Sequence, residues 1–161
     1  MEQEKSFSHL DAAGNPAMVD VSAKSETKRT AWARSIVVLG EEILQHLTNG
    51  DIHTKKGPVF QTAIIAGTMG AKKTSDLIPL CHPLGLESCK FKIEVNQAQE
   101  VVIDCTAVIT GKTGVEMEAL TGATVAALTI YDMCKAFSHD IVIKETKLMS
   151  KTGGKNDFER K

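Results

Sequence analysis

The residues best suited to chemistry in this chain are a few carboxylates, several lysines and one loop histidine. Asp132 and Lys135 are three apart, so on a helix they share a face and their side chains can meet. They are embedded in Leu128-Thr129-Ile130-Tyr131 and Met133-Cys134, a mainly apolar stretch. A partly desolvated pair of this kind has shifted proton affinities and suits acid–base work. A solvated ion pair is the plain alternative. A lysine near cationic neighbours in a drier site can lose its proton near neutrality. Glu116 and Glu118 precede the pair and belong to the first turn of the same expected helix, where the helix dipole alone favours carboxylates. Glu118 and Asp132 fall near one helix face, but about 21 Å apart along the axis. A small substrate that touches both needs a second subunit to supply one of them.

Loops carry the other candidates. His82 sits in the rigid Cys81-His82-Pro83 segment and is a ligand, an acid–base group or a hydrogen-bonded structural residue. No neighbouring histidine or acidic pair makes a metal site specific. Lys55 and Lys56 precede Gly57, and Lys151 and Lys155 bracket Gly153-Gly154. Basic residues beside flexible glycine suit a polyphosphate, although each alone also fits a solvated charge. Gly111-Lys112-Thr113 imitates the end of a P-loop, but that pattern requires glycine where Thr106 stands. A hairpin-to-helix turn is the better reading, with amides still able to meet an anion. Cys81, Cys89, Cys105 and Cys134 form no Cys-x-x-Cys and match no zinc spacing, so free thiols in a reducing compartment are expected.

The elements that must position these groups follow from periodicity. Residues 1–17, with Gly14 and Pro16, read as a flexible arm, and Met18–Ser22 as a short extended piece. Thr30–Leu39 reads as a strand and Glu41–Thr48 as a short helix stopped by Asn49-Gly50. Residues 51–56 read as a polar loop. Pro58 opens a helix to about Lys73 whose small residues permit close packing on another helix. Two alternating strands follow over 86–97 and 100–110, joined as a hairpin. A long helix spans 115–137, and its stripe of Ala119, Gly122, Ala123, Ala126 and Ala127 suits a helix sandwiched between its own sheet and another subunit. A last strand covers 140–149, before a polar tail. The order β-α-α-β-β-α-β is that of an α+β, ferredoxin-like fold: a four-stranded antiparallel sheet with helices on one face.

Composition bounds the function. The chain has 161 residues, one domain's length, with 42% hydrophobic and 24% charged residues. A net charge of −1 gives no global field for nucleic acid or membrane, and seven aromatics argue against a base-stacking surface. The polar N-terminus lacks an apolar signal region, and no apolar run is long enough to span a bilayer, so a cytoplasmic protein is expected.

Four long segments occur in order: Met18 to Lys24, Asp76 to Leu84, Thr110 to Glu118 with Leu120-Thr121, and Ala126 to Lys135. Over about residues 8–158 the chain resembles the MoaC family of cyclic pyranopterin monophosphate synthases, which act in molybdenum cofactor biosynthesis. The resemblance implies a ferredoxin-like catalytic domain over 18–158, a tail at 159–161, and a homohexamer, a trimer of dimers, with the site at a subunit interface. It implies a lyase reaction, conversion of 3′,8-cyclo-7,8-dihydro-GTP to cyclic pyranopterin monophosphate with release of diphosphate. The cyclised GTP would come from a radical-SAM partner. No resident cofactor is implied, and Mg2+ is admitted only as a companion of the substrate phosphates. The family's catalytic residues fall on Asp132, Lys135 and Lys56, and its substrate-binding residues on Leu80, Cys81, His82, Glu116, Met117, Glu118, Arg29 and Lys151. Two departures are local: Lys55 adds a second lysine beside Lys56, and Pro58 and Ala17 stand where aspartate and a polar residue are expected. A non-catalytic pterin- or nucleotide-binding scaffold for the radical-SAM partner, or a purely structural oligomer, are the competing classes.

Overall fold

A computed structural model describes residues 7–161. The part of the expected flexible arm at residues 1–6 lies outside the described residues. The chain runs β1 (Thr27–Val38), α1 (Glu41–Leu44), β2 (Leu47–Thr48), β3 (Asp51–Thr54), β4 (Gly57–Pro58), α2 (Val59–Lys72), α3 (Thr74–Leu77), β5 (Ser88–Val95), β6 (Val101–Gly111), α4 (Glu116–Cys134), β7 (Val142–Thr152) and β8 (Phe158–Glu159). The main sheet is antiparallel in the order β5-β6-β1-β7-β8. Its four long strands are the expected ferredoxin-like set, and the two-residue β8 adds a fifth strand along β7.

One face of the sheet carries both long helices. Along β1, Ala31, Ala33, Ser35 and Val37 are buried toward α4, while Trp32, Arg34, Ile36 and Val38 stand half-exposed on the other face. That alternation is the period of two that the strand demands. On the outer face Asp104 of β6 accepts from Trp32 Nε1 at 2.7 Å and from Arg34 Nε and Nη2 at 2.8 and 2.9 Å. The core divides along α4. Ile130, Met133 and Cys134 pack with Val37, Ile43, Ile52, Phe60 and Ile103 toward its C-terminus. Ala119 and Ala123 pack with Ala31, Ala33, Cys105 and Ala107 toward its N-terminus. The small residues of α4 are used inside this chain, between its own sheet and α2. A Cβ on Gly67 of α2 would lie 2.8 Å from the Gly122 carbonyl oxygen, which is how closely the two helices approach.

Two local readings change. Asn49 and Gly50, both at positive φ, do more than stop a helix: they turn β2 back onto β3, with Leu47 opposite Ile52. The expected loop at 51–56 is therefore a small meander of β2, β3 and β4, and the helix at 41–48 shortens to α1. The last strand also runs to Thr152. Its pairing with β1 shifts between Trp32 and Ala33, so Met149 is an extra residue and the alternation is broken there. Leu148 and Lys151 lie opposite Ala33 and Ala31, and so face the helix side together.

The start of α2 is capped from a distance. Pro58 is the N-cap, in extended backbone and without a side-chain cap. The carboxylate of Asp51, at the head of β3, accepts instead from the amides of Phe60 and Gln61 at 2.7 and 3.1 Å.

Candidate active site

The candidate residues gather in two clefts at opposite ends of α4. The first, about 420 Å³, is lined by Arg29, His82, Glu116 and Lys151, together with His9, Lys24, Thr113 and Lys155. Lys151 Nζ lies 2.9 Å from Glu116 Oε1, a contact the β7 bulge makes possible. Gly114 leaves room for this carboxylate, since a Cβ there would run into it. The tail reaches the cleft through Gly153, at φ +86°, where a Cβ would overlap the Lys28 carbonyl. Arg29 Nε donates to Gly111 O at 3.2 Å.

The segment 18–24 forms another wall. His82 Nε2–H donates to Val19 O at 2.8 Å, which fixes the orientation of the ring. Lys112 Nζ donates to Ser22 O at 3.0 Å, so the lysine of the false P-loop is a tether for this wall. Thr113 Oγ1 is buried beside the cleft and has no hydrogen-bond partner among the described residues.

Leu80, Cys81, Met117 and Glu118 do not line this cleft. Leu80 and Cys81 are half-buried in the segment after α3, and Met117 is exposed on α4. Glu118 is 4% exposed. Burial pushes its carboxyl up to about 7, its own backbone amide opposes this, and the charge of Glu116 adds to it. Burial, helped by the charge of Glu118, also raises the Cys81 thiol.

The second cleft, about 720 Å³, is lined by Lys55, Lys56, Asp132 and Lys135 with His53, Phe137 and His139. Asp132 is the centre. Its Oδ1 lies 2.8 Å from Lys135 Nζ and its Oδ2 3.5 Å from Lys56 Nζ. Of the two adjacent lysines it is thus Lys56 that meets the carboxylate. The hydrogen bond and charge of Lys135, then the charge of Lys56, hold the Asp132 carboxyl below the ordinary carboxylate range. The same pairing raises Lys135 above its ordinary value. The expectation of a lysine that loses its proton near neutrality is therefore reversed in this chain: an exposed ammonium bonded to a carboxylate keeps its proton.

Both clefts offer carboxylate and ammonium groups side by side, suited to proton transfer and to neutralising phosphate charge. Among the described residues no cluster of three or more His, Cys, Asp or Glu side chains could hold a metal ion. His9, Lys24, His53 and His139 were not among the sequence candidates; each is a lone basic residue in a polar stretch, with no periodic signal to mark it. Among the described residues no helix is long and apolar enough to cross a membrane.

Residues 18–154 match the sequence model of the MoaC family. The chain is 52% identical to Molybdenum cofactor biosynthesis protein 1 of Dictyostelium discoideum, over 96% of this chain and 27% of that protein. It is 54% identical to the Molybdenum cofactor biosynthesis bifunctional protein of Synechocystis, over 96% of this chain and 46% of that one. It is 53% identical to a Cyclic pyranopterin monophosphate synthase of Xanthomonas campestris, over 94% of this chain and 92% of the relative. The chain thus spans under half of the first two proteins and nearly all of the third. With its four motifs carried on a ferredoxin-like sheet and matched from residue 18 to residue 154, this chain belongs to the MoaC family.

Proposed function

We propose that this chain is a cyclic pyranopterin monophosphate synthase, a lyase converting 3′,8-cyclo-7,8-dihydro-GTP to cyclic pyranopterin monophosphate and diphosphate. The observation that carries the reading is the Asp132 carboxylate held between two ammonium groups, Lys135 and Lys56. The names of the relatives, two of them proteins of molybdenum cofactor biosynthesis and one a synthase of this product, support it.

The chemistry needs hydrolytic opening of a purine-derived ring, construction of the pyranopterin and closure of a cyclic phosphate. In the closure a substrate hydroxyl oxygen bonds to the α-phosphorus, the bond to the bridging oxygen breaks, and diphosphate leaves with that electron pair. Each step is proton transfer plus charge neutralisation. Their ion pair makes Asp132 a weaker base and Lys135 a weaker acid, so in this reading Asp132 takes a proton and Lys135 gives one once bound substrate separates the pair. Lys56, Arg29 and Lys151 balance the charge of the triphosphate and of the leaving diphosphate. His82 and Glu116, which line the first cleft, orient the base-derived ring.

Within one chain the two clefts are separated by about 24 Å of α4, measured from Glu116 to Asp132 at about 1.5 Å per residue. A complete site is therefore built from the first cleft of one protomer and the second cleft of its partner, in a homohexamer arranged as a trimer of dimers. Exposed Ile65 and Met69 on α2 and Leu128 on α4 give apolar surface that an assembly would cover. In this reading residues 18–158 form one cytoplasmic catalytic domain fed by a radical-SAM GTP cyclase. Cyclised GTP supplied to the purified protein should yield pterin product and diphosphate in equal amounts. Binding without diphosphate release would make the chain a scaffold, and no binding would make it structural. Lys135→Ala should remove turnover and keep the parent's oligomeric state; near-normal turnover would sink the assignment.

A further inference from the structure

We propose that Asp51, outside both clefts, is a positioning residue that sets where Lys56 stands; the catalytic part of this inference rests on the function proposed above. Lys56 and Asp132 have side chains 62% and 55% exposed, and their nitrogen and oxygen are 3.5 Å apart. Neither burial nor a strong bond of its own therefore fixes the ammonium. Its place is fixed by the turn that carries it.

That turn is the tip of a loop held at both ends by one carboxylate. Asp51 is 8% exposed. Its Oδ1 accepts from the Ile52 amide at 2.7 Å, on the strand side, and from the Phe60 amide at 2.7 Å, on the helix side. Its Oδ2 accepts from Gln61 at 3.1 Å. Between these anchors β3 pairs with β4, His53 opposite Pro58 and Thr54 opposite Gly57. Thr54 Oγ1 accepts from the Lys56 amide at 3.1 Å and donates to Gly57 O at 3.2 Å, so the tip is tied to its own stem. Two backbone pairs would be a weak meander alone. The carboxylate clamp joins it to the first turn of α2, whose N-cap, Pro58, has no capping side chain. The clamp thus converts a rigid helix terminus into a fixed address for Lys56.

Pro58 has φ −72° and ψ 130°, the extended backbone an N-cap aspartate adopts, so the cap can be moved without moving the helix. This separates capping from clamping. In Asp51→Ala/Pro58→Asp the helix is capped again, next to the tip, and both the cap and the local tie are supplied by position 58.

The test uses the full chain and a zero-length carbodiimide, which joins an ammonium nitrogen to a touching carboxylate as an amide with loss of water. Peptide mass spectrometry gives the ratio of Lys56–Asp132 to Lys135–Asp132 cross-links. The second pair lies within α4 and its cap and serves as the internal reference. Asp51→Ala should lower the ratio at least threefold and lower kcat about tenfold, with KM changed less than threefold. Adding Pro58→Asp should restore both to within twofold of the parent. If Asp51→Ala does not fold, Asp51→Asn, which keeps the shape and loses one acceptor, takes its place with the same expected direction. A ratio unchanged in a folded Asp51 variant, or unrestored by Pro58→Asp, overturns the proposal. The cross-link arm decides this even if the parent releases no diphosphate, an outcome that would refute the functional reading alone.

Discussion

Glu118, buried in the first turn of α4, offers a sharp physical test of how burial governs a carboxyl at this end of the helix. Its carboxyl, almost wholly buried, is raised by burial from 4.5 to about 7. Between those two values the unfolded chain has released this proton and the folded chain has kept it. The native state then binds more protons, and stability falls as pH rises. The contribution is fully present below about pH 4.5 and is lost as pH climbs through about 7. A displacement of this size is worth about 3 kcal/mol at most. Glu118→Gln keeps the shape and cannot ionise. Urea unfolding of both proteins at pH 5, 6, 7 and 8, at one protein concentration because assembly shifts apparent stability, isolates the effect. The parent should lose about 1–3 kcal/mol more than the variant between pH 5 and pH 8. Titrating groups that do not interact with Glu118 cancel in that difference, and its coupling to Glu116 is the smallest of its three causes. Parallel pH profiles for the two proteins would refute the claim that burial governs Glu118.

Other consequences follow from single contacts. Asp104→Asn weakens an acceptor that serves Trp32 Nε1 and Arg34 Nε and Nη2, and should cost about 1–3 kcal/mol in urea unfolding; an unchanged midpoint would make this outer-face cluster ornamental. Gly67→Ala puts a Cβ 2.6 Å from Phe91 Cζ and 2.8 Å from the Gly122 carbonyl, and should cost about 1–3 kcal/mol despite alanine's better helix propensity. A stabilised Gly67→Ala would show that α2 and α4 can part freely. Lys56→Ala should lose turnover or triphosphate affinity; if both persist, Lys56 is a solvated loop residue.

Much of this was legible because the signals are local. The alternation of Ala31, Ala33, Ser35 and Val37 against Trp32, Arg34, Ile36 and Val38 is the strand itself, and the small stripe of α4 marks a helix that others approach closely. The spacing along α4 already put the Glu116–Glu118 turn far from Asp132, at the opposite end of the helix. What stayed hidden depends on partners distant in sequence or on one residue too many. Asp51 reads as a polar loop residue until Phe60 and Gln61 fold back onto it. Lys151 reads as the start of a tail until the Met149 bulge turns it toward Glu116. Asn49-Gly50 carries both a helix stop and a hairpin turn, and only the pairing of Leu47 with Ile52 decides for the hairpin.

The central claim is that one active site joins the Glu116 cleft of one protomer to the Asp132 cleft of another. Subunit mixing tests it directly. Glu116→Ala and Lys135→Ala chains, each inactive alone, are co-expressed in equal amounts and assayed for diphosphate release from cyclised GTP. In a two-fold interface half the dimers are mixed, and each mixed dimer holds one intact and one doubly altered site, so about a quarter of parental turnover should return. Mixed oligomers with no more activity than either variant alone would contradict a shared site.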